Sequence, residues 1–225
     1  NVKAKRYVYN DKLRPVTNLL LDMYQNDILT LLENIDGYIE DYRLSKINKE
    51  GYLRLRSDYN EIPEPFRPSC ALYALLAHCF NNQVRFNSKG EFNQSFGMNR
   101  SSFNPTLRKR FVAFVDKLQT LDIRFYSKDF REFKVEAFDK RDFVYCDPPY
   151  LLSSASYNKT NGGWMEQDEK DLYTFLDEIG GKVRWAMSNV LETKNKRHSL
   201  LESWARKNGY KIHYLNADYA NSNYR

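Results

Sequence analysis

The apolar positions of the first forty residues recur at helical spacing. Leu19, Leu20, Met23 and Tyr24, then Ile28, Leu31, Leu32 and Ile35, fall on one face. Before them Arg6-Tyr7-Val8-Tyr9 predicts a short strand ending at Asn10-Asp11. A charge-rich helix is expected around Lys49 to Tyr59, and Pro63, Pro65 and Pro68 break the chain after it. Ser69 to Cys79 contains no Asp, Glu, Lys or Arg and predicts a buried helix. Val84 to Phe96 predicts a β-hairpin turning at Ser88-Lys89-Gly90. Asn104-Pro105-Thr106 opens another helix, with Phe111, Phe114, Val115 and Leu118 on its inner face.

From Asp122 the rhythm changes to strand, turn and helix in alternation. Ile123 to Tyr126 is a predicted strand closing on Lys128-Asp129-Phe130, and Phe143 to Cys146 another, closing on Asp147. A helix beginning near Glu166 carries acids at its positive end and turns Leu172, Phe175, Leu176 and Ile179 inward. Val183 to Met187 predicts a strand ending at Ser188-Asn189, Arg197 to Lys207 a helix, and Lys211 to Leu215 a further strand. The loop from Leu151 to Gly163, small and polar, is expected to be mobile without substrate. Alternation of this kind argues for an open, mostly parallel α/β sheet with ligands at the carboxyl ends of its strands.

At 225 residues the chain suits one sizeable domain, or a core domain with a smaller insert. Its hydrophobic fraction of 42% and aromatic fraction of 15% are globular values. No apolar run approaches the roughly 20 residues of a membrane span, and the N-terminal residues lack the apolar core of a signal peptide. Cys70, Cys79 and Cys146 form no CxxC pair, so an intracellular, reducing setting is expected. Net charge is +6, and nearly all of the excess lies between Asn81 and Arg110. There Arg85, Lys89, Arg100, Arg108, Lys109 and Arg110 face only Glu91. A solvated basic face would give the same charge. The interleaved Phe80, Phe86, Phe92, Phe96 and Phe103, with asparagines and glutamines, favour nucleic-acid stacking and base-edge reading.

The chemistry is concentrated at Asp147-Pro148-Pro149-Tyr150, directly after an apolar strand. A Pro-Pro pair can simply end a strand, and an Asp can simply cap a turn. Adenine methylation explains the combination. The exocyclic amine of adenine is a poor nucleophile because its lone pair is delocalised into the ring. A carboxylate and a backbone carbonyl accepting its two N–H bonds localise that pair. Asp147 supplies the first, Pro148 a carbonyl in a stiff segment, and Tyr150 a face for a stacked base. Positive charge grows on nitrogen during transfer, so the carboxylate helps most in the transition state. Neither a metal nor a covalent intermediate is needed. In duplex DNA the base must leave the stack.

This segment resembles the D-P-P-Y motif of the Dam-type (D12 class) DNA adenine-N6 methyltransferases of bacteria and phages, and the likeness runs nearly end to end. It implies an S-adenosylmethionine-dependent methyltransferase (Rossmann-like) sheet with a mainly helical target-recognition domain carrying a β-hairpin. Residues 1–44 and 119–225 would form the discontinuous catalytic and cofactor-binding domain, and 45–118 the recognition domain. Tyr7-Val8-Tyr9-Asn10-Asp11 is similar to the family's second strand, which makes Asp11 the candidate for the ribose of S-adenosylmethionine; a helix N-cap is the structural alternative. Asp129 and Phe130 match the family's D-F turn beside the cofactor's adenine, and Ser188-Asn189 also matches a family position. By the same resemblance Asp147 would serve both amine and cofactor.

The resemblance further implies double-stranded DNA as partner, probed at GATC. Phe80 to Asn93 is similar to the hairpin that enters DNA there, with Arg85 reading a guanine edge, Phe80 and Asn81 near the gap left by the flipped adenine, and Asn87 and Lys89 in the same DNA-binding stretch. Arg100 would meet phosphate or an outer base, and Arg108, Lys109 and Arg110 phosphates. Ser95 stands where many relatives carry proline. S-adenosylhomocysteine as product, no metal, a monomer and a location in the bacterial (or phage-infected) cytoplasm complete the expectation. The family's F-x-G-x-G cofactor loop is not among these residues, which leaves a catalytically inactive DNA-binding relative as the alternative. A methyltransferase of RNA or of protein glutamine usually has Asn at the position of Asp147.

Overall fold

The computed structural model describes residues 3–152, 163–193 and 196–215. These form two compact units, one of residues up to 137 and one from 138 onward, Gly163 excepted. Most of the 151–163 loop lies outside the described residues.

The first unit opens with β1 (Tyr7–Asn10) and closes around β2 (Ile123–Tyr126), which pair in parallel with Tyr7 opposite Ile123 and Asn10 opposite Tyr126. Between them lie α1 (Arg14–Gln25), α2 (Ile28–Asp41), α3 (Lys49–Glu61), α4 (Ser69–His78) and α5 (Pro105–Gln119). The apolar stripe from Leu19 to Ile35 is one pattern but two helices. Asn26 is extended, and the Asp27 side chain accepts the Thr30 backbone N–H at 2.9 Å, so a new helix starts there. The charge-free α4 packs against α1, α2 and α3, with Leu72 and Leu75 fully buried. Each such side chain contributes about 1.5–3 kcal/mol through burial.

His78 ends this helix buried, its Nδ1 2.8 Å from the Ala74 carbonyl; burial pushes its pKa down and keeps it neutral. Asn104 caps α5 through the Leu107 N–H at 3.0 Å with Pro105 in the first turn. Phe111, Val115 and Leu118 are buried as the spacing predicts, whereas Phe114 faces solvent: the inner face is narrower than its apolar pattern. One core, from Leu19 through Tyr52, Leu75 and Phe92 to Leu118, runs through helices on both sides of residue 44, and beyond residue 118 Leu121, Ile123 and Phe125 pack against it.

The second unit contains β3 (Phe143–Cys146), α6 (Glu166–Gly180), β4 (Arg184–Met187), the short antiparallel pair β5 (Glu192–Thr193) and β6 (Lys196–Arg197), and α7 (Ser199–Lys207). β3 and β4 pair in parallel, Phe143 opposite Arg184 and Cys146 opposite Met187. On α6, Leu172, Tyr173, Leu176 and Ile179 are buried and Phe175 is half-buried. The helix expected from Arg197 starts at Ser199 instead, because Arg197 pairs in β6 and His198 supplies the cap. The strand expected over Lys211 to Leu215 does not form. Tyr214 and Leu215 are exposed, and no strand among the described residues pairs with them. Among the described residues no helix is long and apolar enough to cross a membrane.

Candidate functional site

Asp147 emerges one residue past the end of β3. Since Cys146 lies opposite Met187, the parallel register sets Asp147 opposite Ser188, and the Ser188 N–H donates to the Cys146 carbonyl at 3.0 Å. Ser188 Oγ donates to Asp147 Oδ1 at 2.6 Å, and Tyr150 Oη donates to the same oxygen at 2.9 Å while lying 3.3 Å from Ser188 Oγ. Burial, with the Asp147 carboxylate beside it, pushes the Tyr150 hydroxyl above its ordinary value against an opposing pull from Ser188. It therefore stays protonated as a donor. Asp147 is exposed, and its Oδ2 has no partner among the described residues. Two donors thus hold one carboxylate oxygen and leave the other free to accept. Pro148 and Tyr150 are half-buried beside it.

The tip of the first parallel pair is built differently. The Asn10 side chain donates to the Lys128 carbonyl and accepts its N–H, both at 3.0 Å, so an amide side chain extends the β1–β2 ladder by one rung. Asp11 Oδ1 accepts the Leu13 N–H at 2.8 Å, and Oδ2 the Tyr9 hydroxyl at 3.3 Å. Leu13, not Asp11, is the capping residue of α1, and no side chain caps it. Asp11 makes the turn before the helix. Asp129 caps the 3₁₀ turn Phe130–Glu132: its carboxylate accepts the Arg131 N–H at 3.1 Å, and its own N–H donates to Glu132. It is also paired with Lys12 at 2.8 Å and Arg131 at 3.1 Å. Partial burial pushes the Asp129 carboxyl up, but Lys12 and Arg131 outweigh it and hold it below the usual range. The Arg131 guanidinium lies 4.6 Å from the centre of the half-buried Phe130 ring.

In the basic segment, the reversal at Asn87 to Glu91 is held by side-chain chemistry. Asn87 Oδ1 accepts the N–H groups of Lys89 and Glu91, its Nδ2 donates to Glu91 at 2.6 Å, and Gly90 takes φ +73°. The flanks meet in isolated antiparallel bridges, Phe86 with Phe92 and Cys79 with Phe96. Phe80, Asn81 and Arg100 come together, with the Arg100 guanidinium 5.1 Å from the Phe80 ring centre and 3.2 Å from Asn81 Oδ1. Gly97 allows the approach, since a Cβ there would stand 2.7 Å from the Cys79 carbonyl. Arg85 is half-buried, its Nε without a hydrogen-bond partner among the described residues. Arg108 is engaged by Asp36 through two bonds of 2.8 and 2.5 Å, whereas Lys89, Lys109 and Arg110 are exposed. Among the described residues no cluster of three metal-binding side chains occurs.

Sequence reasoning missed Asn10, Lys12 and above all Glu169, which is wholly buried on the first turn of α6. The signal was available. Glu169 precedes Leu172, Tyr173 and Leu176 by three, four and seven residues, which puts it on the apolar stripe and not among the solvated acids.

The chain matches the family of D12 class N6 adenine-specific DNA methyltransferases over residues 1–221. It is 37% identical over 228 aligned positions to the modification methylase StsI of Streptococcus sanguinis, and equally to the type II methyltransferase M.FokI of Planomicrobium okeanokoites. Both alignments cover the whole chain but 34% of the relative, so the chain spans about a third of their length. The DNA adenine methylase of Salmonella typhi is 29% identical over 160 positions, covering 71% of this chain and 54% of that protein. With the match running through both strand tips and the basic segment, the chain belongs to the D12 class of N6 adenine-specific DNA methyltransferases.

Proposed function

We propose that the protein carrying this chain transfers a methyl group to adenine N6 in duplex DNA as a site-specific modification methylase. The observation that carries the reading is the Asp147 carboxylate, with Oδ1 held by Ser188 and Tyr150 and Oδ2 left to accept. On this reading Oδ2 accepts one N–H of the target amine and the Pro148 carbonyl the other, so the nitrogen lone pair is turned out of the ring. The Tyr150 ring, its hydroxyl tied to Asp147, gives the adenine a face to stack on. Asp147 stabilises the charge that grows on nitrogen. Such contacts require an extruded base, so flipping belongs to the proposal.

The D12 class implies S-adenosylmethionine, which supplies an electrophilic methyl group. The donor set fits it: Asp11 retains acceptor capacity beyond its bonds to Leu13 and Tyr9, as a ribose diol requires, and Phe130 offers an aromatic surface at the neighbouring tip. Asp129 keeps Phe130 in place through the capped turn. Residues 45–118 act in the proposal as the recognition segment, with Phe80, Asn81, Arg85, Asn87, Lys89 and Arg100 toward DNA and Lys109 and Arg110 on phosphates. Arg108 joins them only if it leaves Asp36.

GATC is the proposed target, on the likeness of the Phe80 to Asn93 stretch to the Dam-type hairpin. Incubating the full-length protein with labelled S-adenosylmethionine and duplexes differing at each position of that site tests both parts. Label in the GATC duplex alone supports them, and label in a different sequence replaces the target while keeping the reaction. A protein that shifts the duplex on a gel yet labels none of the panel would be a binding relative.

A further inference from the structure

The second unit buries a carboxylate that the reaction does not use. Glu169 is fully buried, and its Oε1 collects three contacts: Trp164 Nε1 at 3.2 Å, Asn189 Nδ2 at 3.3 Å and His198 Nε2 at 3.5 Å. His198 is itself 2% exposed; it receives the Leu201 N–H on Nδ1 and donates its backbone N–H to the Leu191 carbonyl. Glu169 Oε2 and the Tyr173 hydroxyl are both buried, coupled electrostatically but outside hydrogen-bond geometry. Burial pushes the Glu169 carboxyl up, yet His198, Tyr173, Trp164 and Asn189 together hold it below its usual value, so the group is ionised.

A buried charge is an expensive way to stabilise a fold, because hydrophobic residues of similar volume do as well or better. What this one joins is informative. Asn189 directly follows Ser188, whose hydroxyl holds Asp147 at 2.6 Å. The Asn189 side chain also accepts the Val190 N–H at 2.7 Å, which fixes the backbone just past β4. Trp164 leads into α6, and His198 begins α7.

We infer that Glu169 is a positioning residue for methyl transfer: through Asn189 it sets the β4 tip so that Ser188 holds the Asp147 carboxylate in its reactive orientation. The inference rests on the proposed role of Asp147. A displacement of about 1 Å in a reacting group can lower a rate roughly 100-fold, so a modest shift of the tip would register in chemistry before it registers in binding.

The test is single-turnover methyl transfer by the full-length protein with saturating S-adenosylmethionine and duplex, which separates rate constant from the fraction of competent molecules. Glu169→Ala is expected to lower the rate constant about 10- to 100-fold, with duplex affinity within about three-fold. Glu169→Gln, which can still accept from Trp164 and Asn189, should recover most of the rate. A structural role alone would lower the amplitude and leave the rate constant unchanged. If Glu169→Ala does not fold, Asn189→Ala decides, since it cuts the link to the strand tip and leaves the carboxylate with Trp164 and His198. Wild-type rate constants in the folded variants, while Asp147→Ala is inactive, overturn the inference alone. Transfer retained by Asp147→Ala would instead remove the reading on which it rests.

Discussion

The two parallel strand pairs end in the same residue types and use them differently. At each tip the register sets an aspartate opposite a serine, Asp11 with Ser127 and Asp147 with Ser188. Ser127 Oγ donates to the backbone carbonyl of Asp11 at 3.0 Å, whereas Ser188 Oγ donates to the side-chain carboxylate of Asp147 at 2.6 Å. The first hydroxyl closes the main chain and the second aims a functional group. Around the first tip the Asp129 carboxylate is paired with Lys12 and Arg131, and each Asp11 oxygen already accepts one bond; around the second, Asp147 Oδ2 accepts none among the described residues. Position in a sheet therefore identifies a candidate, and the atom that receives the bond tells what the candidate is for.

The comparison breaks most visibly at the carboxylates. Asp147→Ala should lower single-turnover transfer at least about 1,000-fold, with duplex affinity within a few-fold by gel shift; activity near wild type would refute the assignment. Asp11→Ala should act on the methyl donor instead. Loss of hydrogen bonds to a charged group predicts a rise of about 10- to 100-fold in its KM, and an unchanged KM would leave Asp11 as a turn residue. The two serines give a sharper contrast. Ser188→Ala is expected to lower the rate constant about 10-fold, while Ser127→Ala should remove about 1 kcal/mol of stability in urea unfolding and leave the rate at saturating donor within about two-fold. Equal effects of the two changes would erase the distinction.

The smallest expected effect is a pH dependence. Because the Asp129 carboxyl is held below its ordinary value, its contribution to stability is complete above the unfolded pKa near 4 and is lost as pH falls through the folded value. Asp129→Asn should flatten that acid limb slightly, in line with an exposed Lys12 partner. A limb unchanged in the variant would show that other carboxylates carry it.

Much of this was legible in the sequence because strong local signals agreed with the tertiary outcome. Ser69 to His78 has no charge to expose, and Glu166 opens its helix with acids at the favourable end. The short strands before Asp11, Asp129 and Asp147 were marked by apolar runs meeting polar tips. Other features lacked such signals. Asn26-Asp27 divides a continuous apolar stripe because a side-chain cap outweighs periodicity. Phe114 and Leu215 have apolar character and no described element to cover them. The Asp147–Ser188 bond spans 41 residues, and the two halves of a parallel register cannot be aligned from composition. Glu169 was hidden by its company, one acid among several at a helix start, although its spacing to Leu172 and Leu176 places it inside.

The register of β3 on β4 also constrains how genes for such proteins can change length. Adding one residue within β4 would turn Ser188 to the opposite side of the sheet, and adding one within β3 would do the same to Asp147, so that the two would no longer face each other. Adding one in the exposed Gly181-Lys182 turn would leave that pairing intact. Length variation should therefore collect in the turn and be purged from eight strand residues, so that the reading frame of a hydrogen bond is written into which insertions survive.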